Sequence, residues 1–399
     1  MLRNLANKKV LIRVDFNVPL NSSQEITDDT RIRRALPTIK AALSEGASVI
    51  LMSHLGRPLK KLTPEGHIDK KKFSLRPLVG RLKDLLETQV LFANDTVGKS
   101  AFDQALALQP GQVLLLENTR FEAGEKKGDD EMAAKLAKLA DVFINDAFGA
   151  AHRAHTSTTT VAKYFEPENK SLGLLMMDEI ANAKKVMKNP KRPFTAILGG
   201  AKVSDKILLI EKLLDYCDNI LIGGGMSYTF LQAMGGETGD SLVEKSHIDL
   251  ASELMRKAQE RNVDLYLPED SICADKFAAD AEKQTCPSDA IPSGWMGLDI
   301  GPEALKVYSK VILESSTILW NGPLGVFEFP EFASGTFGTA AAVAEATGKG
   351  AFSLIGGGDS VSAINKSGLQ EKVSFISTGG GAMLEFLEGK TLPGIAAVQ

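Results

Sequence analysis

Cysteine is scarce in this chain: Cys217, Cys273 and Cys286 are the three among 399 residues, widely spaced and odd in number. That argues against a disulfide framework or a cysteine-based zinc cluster. No run of 18 apolar residues occurs, so no membrane-spanning helix is expected, and the first residues, Met1 to Lys9, lack the apolar stretch of a signal peptide. The expectation is a cytoplasmic protein with no membrane partner. An excess of basic residues is missing as well: 46 Lys and Arg against 50 Asp and Glu leave a net charge of −4, which gives no overall reason to bind nucleic acid. Several phosphate-binding signatures are incomplete. Val97-Gly-Lys-Ser100 resembles the end of a P-loop, but Ala93 stands where the first glycine is required. No glycine cluster completes G-x-G-x-x-G, because Tyr228, Val361 and Leu384 occupy the last position, which weakens an NAD-dependent dehydrogenase reading. The protein-kinase signatures H-R-D and D-F-G are absent.

What is present has the composition of a globular protein, 44% hydrophobic and 24% charged. At roughly 150 residues per domain, the length points to two domains. Ten of the thirteen arginines lie in residues 1–160 and 27 of the 36 glycines in 161–399, so the halves are built for different ligands or differ by chance. In the first half, short apolar runs at Val10–Val14, Ser48–Met52, Val113–Leu116 and Val142–Ile144 alternate with amphipathic stretches such as 31–43 and 129–139. Buried runs separated by crossover helices imply a parallel sheet. The lysine-rich segment 60–72 reads as a solvated loop. A helical stretch at 172–187 precedes Asn189-Pro-Lys-Arg-Pro193, where two prolines end any helix and a domain connector is expected. The βα pattern then restarts with runs at 194–198, 219–222, 318–320, 352–355 and 373–376, while 235–240 and 273–301 look irregular.

Four second-half runs end in glycine clusters, at Gly199-Gly200, Gly223 to Gly225, Gly356 to Gly358 and Gly379 to Gly381. In an open parallel sheet such turns gather at one edge, where glycine lets backbone N–H groups approach a phosphate. Lys202 and Lys206 would share a face near the start of a helix, either as surface lysines or beside an anion. Asp359 could hold Mg²⁺ on a nucleotide or serve as a helix N-cap.

The first-half runs end instead in Arg13-Val-Asp-Phe-Asn-Val-Pro19, Ser53-His-Leu-Gly-Arg57, Glu117-Asn-Thr-Arg-Phe121 and the stretch 146–155. On one rim of a parallel sheet these would gather Arg57, Arg120, Arg153, His54, His152 and His155. Arginine forks bind carboxylate and phosphate bidentately, so the ligand expected is a small, multiply charged anion. An acid in a basic site, Asp15 could bind hydroxyls or accept a proton, and Asn17 beside it could simply form a turn before Pro19. The histidines lack metal-ligand spacing, so no metal is assigned to this half.

Taken together, the stretches R-V-D-F-N-V-P, S-H-L-G-R, E-N-T-R-F, D-A-F-G-A-A-H-R-A-H, G-G-A-K-V-S-D-K, W-N-G-P-L-G-V-F-E, G-G-G-D-S and S-T-G-G-G-A closely resemble the phosphoglycerate kinase family, over nearly the whole chain. The resemblance implies an α/β fold of two Rossmann-like domains, each a parallel sheet flanked by helices. A 3-phosphoglycerate domain would span 1–171, a hinge helix 172–188 and a nucleotide domain 189–385, with a tail from about 386 to 399 packing back on the first. It implies a monomer that transfers phosphate between 1,3-bisphosphoglycerate and ADP, giving 3-phosphoglycerate and ATP, with Mg²⁺ bound on the nucleotide. By motif, Asp15, Asn17, Arg31, His54, Leu55, Gly56, Arg57, Arg120 and Arg153 resemble the 3-phosphoglycerate site. Lys206, Asn321, Glu328, Gly357, Gly358, Asp359 and Ser360 resemble the nucleotide side, with Glu328 on the ribose and Asp359 on the metal. Arg31 and Lys202, with the N–H groups of Gly379 and Gly380, resemble the contacts to the phosphoryl group in flight. Ser360 stands where many members have threonine, a departure that keeps the hydroxyl and loses a methyl.

That reaction suits such residues. The attacking carboxylate, with a reference pKa near ~4, is ionised at neutral pH and needs no general base. Phosphoryl transfer then depends on positioning and on cations and backbone donors that stabilise charge.

Overall fold

The computed structural model describes residues 4–399, which divide into two compact units, 4–180 with Thr391–Gln399, and Ala181–Lys390. In the first, strands β1 (Lys9–Val14), β2 (Ser48–Met52), β3 (Val90–Phe92), β4 (Val113–Leu115), β5 (Val142–Asp146) and β6 (Lys170–Leu172) form one sheet in the order β3-β4-β2-β1-β5-β6. Every pairing in it is parallel. Side chains alternate across a strand, and here both faces are buried. Val10, Ile12 and Val14 of β1 meet Ile32, Ala35 and Ile39 of α1 (Thr30–Ser44) and Leu78 and Leu82 of α2 (Leu78–Leu86). Leu11, on the opposite face, joins Ala101 and Ala105 of α3 (Lys99–Ala107) and Met132 and Leu136 of α4 (Asp130–Ala137). Each fully buried Ile or Leu contributes roughly 1.5–3 kcal/mol, which explains why these strands are continuous apolar runs. Val398 of the returning tail enters the second of these layers.

Helix α5 (Leu174–Met187) ends just before the Asn189 to Pro193 stretch, and the division between units falls inside it, after Ile180. The segment that returns to the first unit begins at Thr391, and Gly394 is tied there by its N–H to Ala151 O (2.8 Å) and its carbonyl to Asn145 Nδ2 (2.8 Å).

The second unit holds β7 (Phe194–Leu198), β8 (Asn219–Ile222), β9 (Asp264–Tyr266), β10 (Thr317–Asn321), β11 (Phe352–Gly356) and β12 (Phe375–Ile376), in the order β9-β8-β7-β10-β11-β12 and again all parallel. Winding runs outward from β7 to β9, then restarts beside β7 with β10, so the ends of β7 and β10 border a topological switch point. In the first unit the corresponding reversal lies between β1 and β5. The stretch 273–301, expected to be irregular, instead carries an antiparallel sheet of Asp270–Ala274, Lys283–Pro287 and Met296–Ile300. Its edge strand exposes Lys283, Gln284 and Thr285, so no apolar run announces it. A two-residue strand, Glu237–Thr238, likewise lies within the irregular-looking stretch 235–240. The solvated segment 60–72 ends in a single helical turn, Lys70–Phe73, whose Phe73 is buried.

Candidate functional site

In the first unit the carboxyl ends of β1, β2 and β4 carry a connected set of polar side chains. Buried Asn118, just beyond β4, is its centre: Nδ2 donates to Leu55 O (2.8 Å) and Phe73 O (2.9 Å), while Oδ1 accepts from Leu55 N (3.2 Å) and Arg120 N (3.0 Å). Asn17 Oδ1 accepts from Gly56 N (2.8 Å), so this residue does more than form a turn: it pins the His54–Arg57 loop. Gly56 has φ +62°, and a Cβ there would meet the Phe73 ring at 2.6 Å, so only glycine suits the position. Arg120 donates from Nη1 to Gly56 O (2.6 Å), and its buried Nε has no partner among the described residues. Arg31, in the first turn of α1, pairs with the Asp15 carboxylate. Arg57 and Arg153 are exposed, Arg153 beyond β5.

A buried arginine supports this rim. Arg13, 1% exposed near the end of β1, donates to Ser157 Oγ (2.8 Å), to the Val14 carbonyl and to His54 Nδ1 (3.2 Å). A guanidinium can only donate, so His54 Nδ1 accepts, and the ring is the neutral tautomer protonated at Nε2. Burial, with the fields of Arg13, Arg120 and Arg31, holds the His54 pKa well below its ordinary value, against the pull of Asp15. His155 is lowered to about 4 by burial and by Arg120 and Arg13, although Glu125 opposes this. Asp15 would be raised by burial but is lowered overall by His54, Arg31 and Arg13; since His54 is neutral, the two guanidiniums carry that effect together with the Asn17 N–H, which donates to the carboxylate (3.3 Å). Glu125 is fully buried, accepting from Ser157 N (3.0 Å) and Ser157 Oγ (2.6 Å). Arg13, Arg31, Arg57 and Arg120 thus face two nearby carboxylates, Asp15 and Glu125, and the excess of cations calls for an anion. Arg13, Asn118 and Glu125 were not singled out from sequence; a charged residue inside the apolar run Val10–Val14 is the signal that could have found Arg13.

The second unit has a cavity of about 330 Å³ at its switch point, lined by the ends of β7, β10, β11 and β12. Seven of its sixteen lining residues are glycine, so its wall is largely backbone. Lys202, Lys206, Asn321, Gly357, Gly358, Asp359, Ser360 and Gly380 all contribute to it. Lys206 Nζ donates to Asn321 Oδ1, whereas the buried Asn321 Nδ2 has no partner among the described residues. Burial lowers the Lys206 pKa, opposed by Asp205 and Asp359. Ser360 Oγ accepts from Gly322 N (2.5 Å), fixing the turn after β10.

The structure corrects three expectations here, the shared helical face of Lys202 and Lys206, the Asp359 N-cap and the ligand-facing turn at Gly223 to Gly225, and it places Gly379 and Glu328. Helix α6 (Ile207–Leu213) begins after Lys206, so Lys202 stands on the preceding loop, exposed, rather than one helical turn from Lys206. Asp359 lies in the first turn of α7 (Gly358–Lys366), whose N-cap is Gly357, which removes the N-cap alternative. The Gly223 to Gly225 cluster does not line the cavity: Gly224 N donates to Leu324 O (3.0 Å), and its role is packing one turn on another. Gly379 N donates to Ser377 Oγ (3.0 Å), and the cavity wall begins at Gly380. Glu328 is exposed and outside the lining.

Comparison with known proteins gives one consistent result. A sequence model of the family described as phosphoglycerate kinase matches residues 2–390. "Phosphoglycerate kinase" of Porphyromonas gingivalis is 51% identical over 419 aligned positions, covering 99% of this chain and 98% of that protein. "Phosphoglycerate kinase 3, cytosolic" of Arabidopsis thaliana is 53% identical over 395, covering 99% and 96%. Among solved structures, phosphoglycerate kinase from Coxiella burnetii superposes with a TM-score of 0.85 at 42% identity, covering 99% and 97% of the two chains. That from Pyrococcus horikoshii gives 0.82 at 30%, covering 100% and 98%. With family, relatives and fold in agreement over the full length, the chain belongs to the phosphoglycerate kinase family.

Proposed function

We propose that this chain carries out the reaction for which its family is named, the reversible transfer of a phosphoryl group from 1,3-bisphosphoglycerate to ADP, and that its two units divide the ligands. The observation that carries the division is the contrast in donors: guanidiniums on the first unit, including a buried Arg120 Nε with no protein partner, and a glycine-walled cavity with Lys206 on the second. Arg31, Arg57, Arg120 and Arg153 hold the three-carbon acid phosphate, with Asp15 and Asn17 toward its hydroxyl and His54, Leu55 and Gly56 shaping the loop. Lys206, Asn321 and the turn at Gly357-Gly358 hold the nucleotide phosphates, Ser360 positions Gly322, and Glu328 reaches the ribose. Arg31, Lys202 and the Gly380 N–H stabilise charge on the group in transfer; Gly379 shapes that turn.

The donor set for Mg²⁺ fits an ion that arrives on the nucleotide. Among the described residues no group of three His, Cys, Asp or Glu could hold a metal, while Asp359 offers one exposed carboxylate at the cavity. Mg²⁺ takes one or two protein carboxylates and fills its octahedron with phosphate oxygens and water, and when bound it neutralises charge on the transferring phosphates. Direct transfer requires the ligands of the two units to meet, so the reading includes closure about α5 and exclusion of water from the acyl phosphate. It also includes a monomer acting in the cytoplasm; among the described residues no helix is long and apolar enough to cross a membrane.

A coupled assay with 3-phosphoglycerate and MgATP tests the reading. Turnover that is lost in Arg120→Ala and in Lys206→Ala is the expected result, and absence of turnover in the wild type defeats it. Small-angle scattering should show compaction only when both ligands are present, and an unchanged radius would remove the closure step.

A further inference from the structure

Three single-turn helices pack side by side next to the cationic rim, Pro58–Lys60, Thr119–Phe121 and Glu125–Lys127. Each presents a cation: Lys60 in the first, Arg120 in the second, Lys126 in the third. Arg57 is held on the same turn as Lys60, whose N–H donates to Arg57 O (3.0 Å). The third turn is locked in orientation because Glu125 points inward to Ser157 and its carbonyl accepts from Thr156 N (2.8 Å). Its neighbour Lys126 is therefore turned out, exposed, beside Arg120. The fields of Arg120, Lys60 and Arg57, after partial burial, lower the Lys126 pKa, so the four cations lie close enough to repel one another. The carboxylates nearby offset Arg120 only in part and are already engaged: Glu125 is bonded to Ser157 and Thr119, Asp15 is paired with Arg31, and Glu122 acts on Lys135. Folding gains nothing from like charges converging at the surface, whereas a phosphate dianion among them would be held by all four.

We infer that Lys60 and Lys126 form an outer pair of cations in the acid-phosphate site, drawing a three-carbon phosphomonoester in and holding it against Arg57 and Arg120. The inference rests on the functional reading above and adds to it Lys126 and, from the lysine-rich segment whose sequence reads as solvated surface, Lys60.

Lys60→Gln, Lys126→Gln and the double variant are compared with Lys126→Arg and with Lys40→Gln, an exposed lysine in the C-terminal half of α1. In steady-state kinetics at low potassium chloride, KM for 3-phosphoglycerate should rise about three- to fivefold per lysine, as for part-exposed charge pairs, with kcat moving far less. The rise should shrink at high salt, Lys126→Arg should restore the wild-type KM, and KM for MgATP should stay put. A double variant whose KM for 3-phosphoglycerate matches that of Lys40→Gln overturns the inference, as does an equal rise in KM for MgATP. Calorimetric titration with 3-phosphoglycerate separates the two readings. If the wild type binds this acid but does not turn over, the functional reading has failed and the dissociation constants of the variants still decide the role of the lysines; if it does not bind, both fall.

Discussion

Replacing Gly199 by alanine tests whether the nucleotide cavity is held by backbone contact between turns. A Cβ at Gly199 would lie 2.0 Å from Pro323 O, 2.7 Å from Pro323 C and 2.8 Å from Gly322 O. Ordinary contact is about 3.4 Å or more, so the turns after β7 and β10 must separate by more than an ångström, and no flexible side chain is there to yield. Two hydrogen bonds cross this seam, Gly199 N to Asn321 O (3.2 Å) and Gly200 N to Pro323 O (3.0 Å). Losing both costs about 1 kcal/mol each, and overpacking adds about 1–3 kcal/mol, so the second unit should lose roughly 3–5 kcal/mol. The same displacement moves Asn321 and Gly322, which carry the Lys206 and Ser360 contacts, and a shift of this size lowers kcat/KM for MgATP by about 10²-fold. Trp295 and Trp320, the two tryptophans of the chain, both lie in the second unit, so fluorescence during urea unfolding reports its stability. Gly348→Ala, with nothing within 4 Å of its Cβ, is the control and should be neutral or slightly stabilising. An unchanged urea midpoint together with an unchanged KM for MgATP in Gly199→Ala would refute the reasoning.

Further outcomes follow from individual residues. Lys202→Ala and Arg31→Ala should each lower kcat by about 10²- to 10³-fold with a smaller change in KM; near-wild-type kcat in either removes that residue from the transfer step. Asp359→Asn should raise the Mg²⁺ concentration for half-maximal rate about tenfold, and an unmoved Mg²⁺ dependence would show that the carboxylate does not meet the ion. Nitrogen-15 spectra should show His54 still neutral and protonated at Nε2 at pH 6.5, where a free imidazole is half charged; a population protonated at Nδ1 would contradict the Arg13 contact. Folded His155 takes up its proton only near 4, whereas the unfolded chain does so near 6.5, so its contribution to first-unit stability falls as pH drops through that window. Asp146, raised by burial to about 7, titrates with the opposite sign but remains in a His155→Gln variant, so the difference between variant and wild type isolates the histidine. Amide exchange in β1 and β5 should show a shallower loss of protection on acidification in the variant; identical slopes would count against it.

How much of this was legible in the sequence depended on where each partner lies. Val10–Val14 and Ser48–Met52 read as strands because both faces of the sheet are covered, and α1, expected at 31–43, runs from Thr30 to Ser44 because its buried positions keep helical spacing across Pro37. The strand Lys283–Pro287 was invisible since a solvated edge needs no apolar run. Glycine clusters announced close backbone approach without saying to what: the same signal marks Gly357-Gly358, which face a cavity, and Gly223 to Gly225, which face Leu324 and the turn at Gly200. The arginines proposed to meet ligand were legible because they recur at successive strand ends. The groups that aim them were not, because Asn118 bonds Leu55 across 63 residues and Glu125 bonds Ser157 across 32, and neither separation leaves a local pattern. Arg13 is the instructive intermediate. A permanent charge within an apolar strand can persist only if buried acceptors meet it, and here those acceptors are Ser157, the Val14 carbonyl and the histidine of the neighbouring strand end. An arginine in a buried strand therefore predicts a polar cluster at that strand's end from the sequence alone, before any motif is matched.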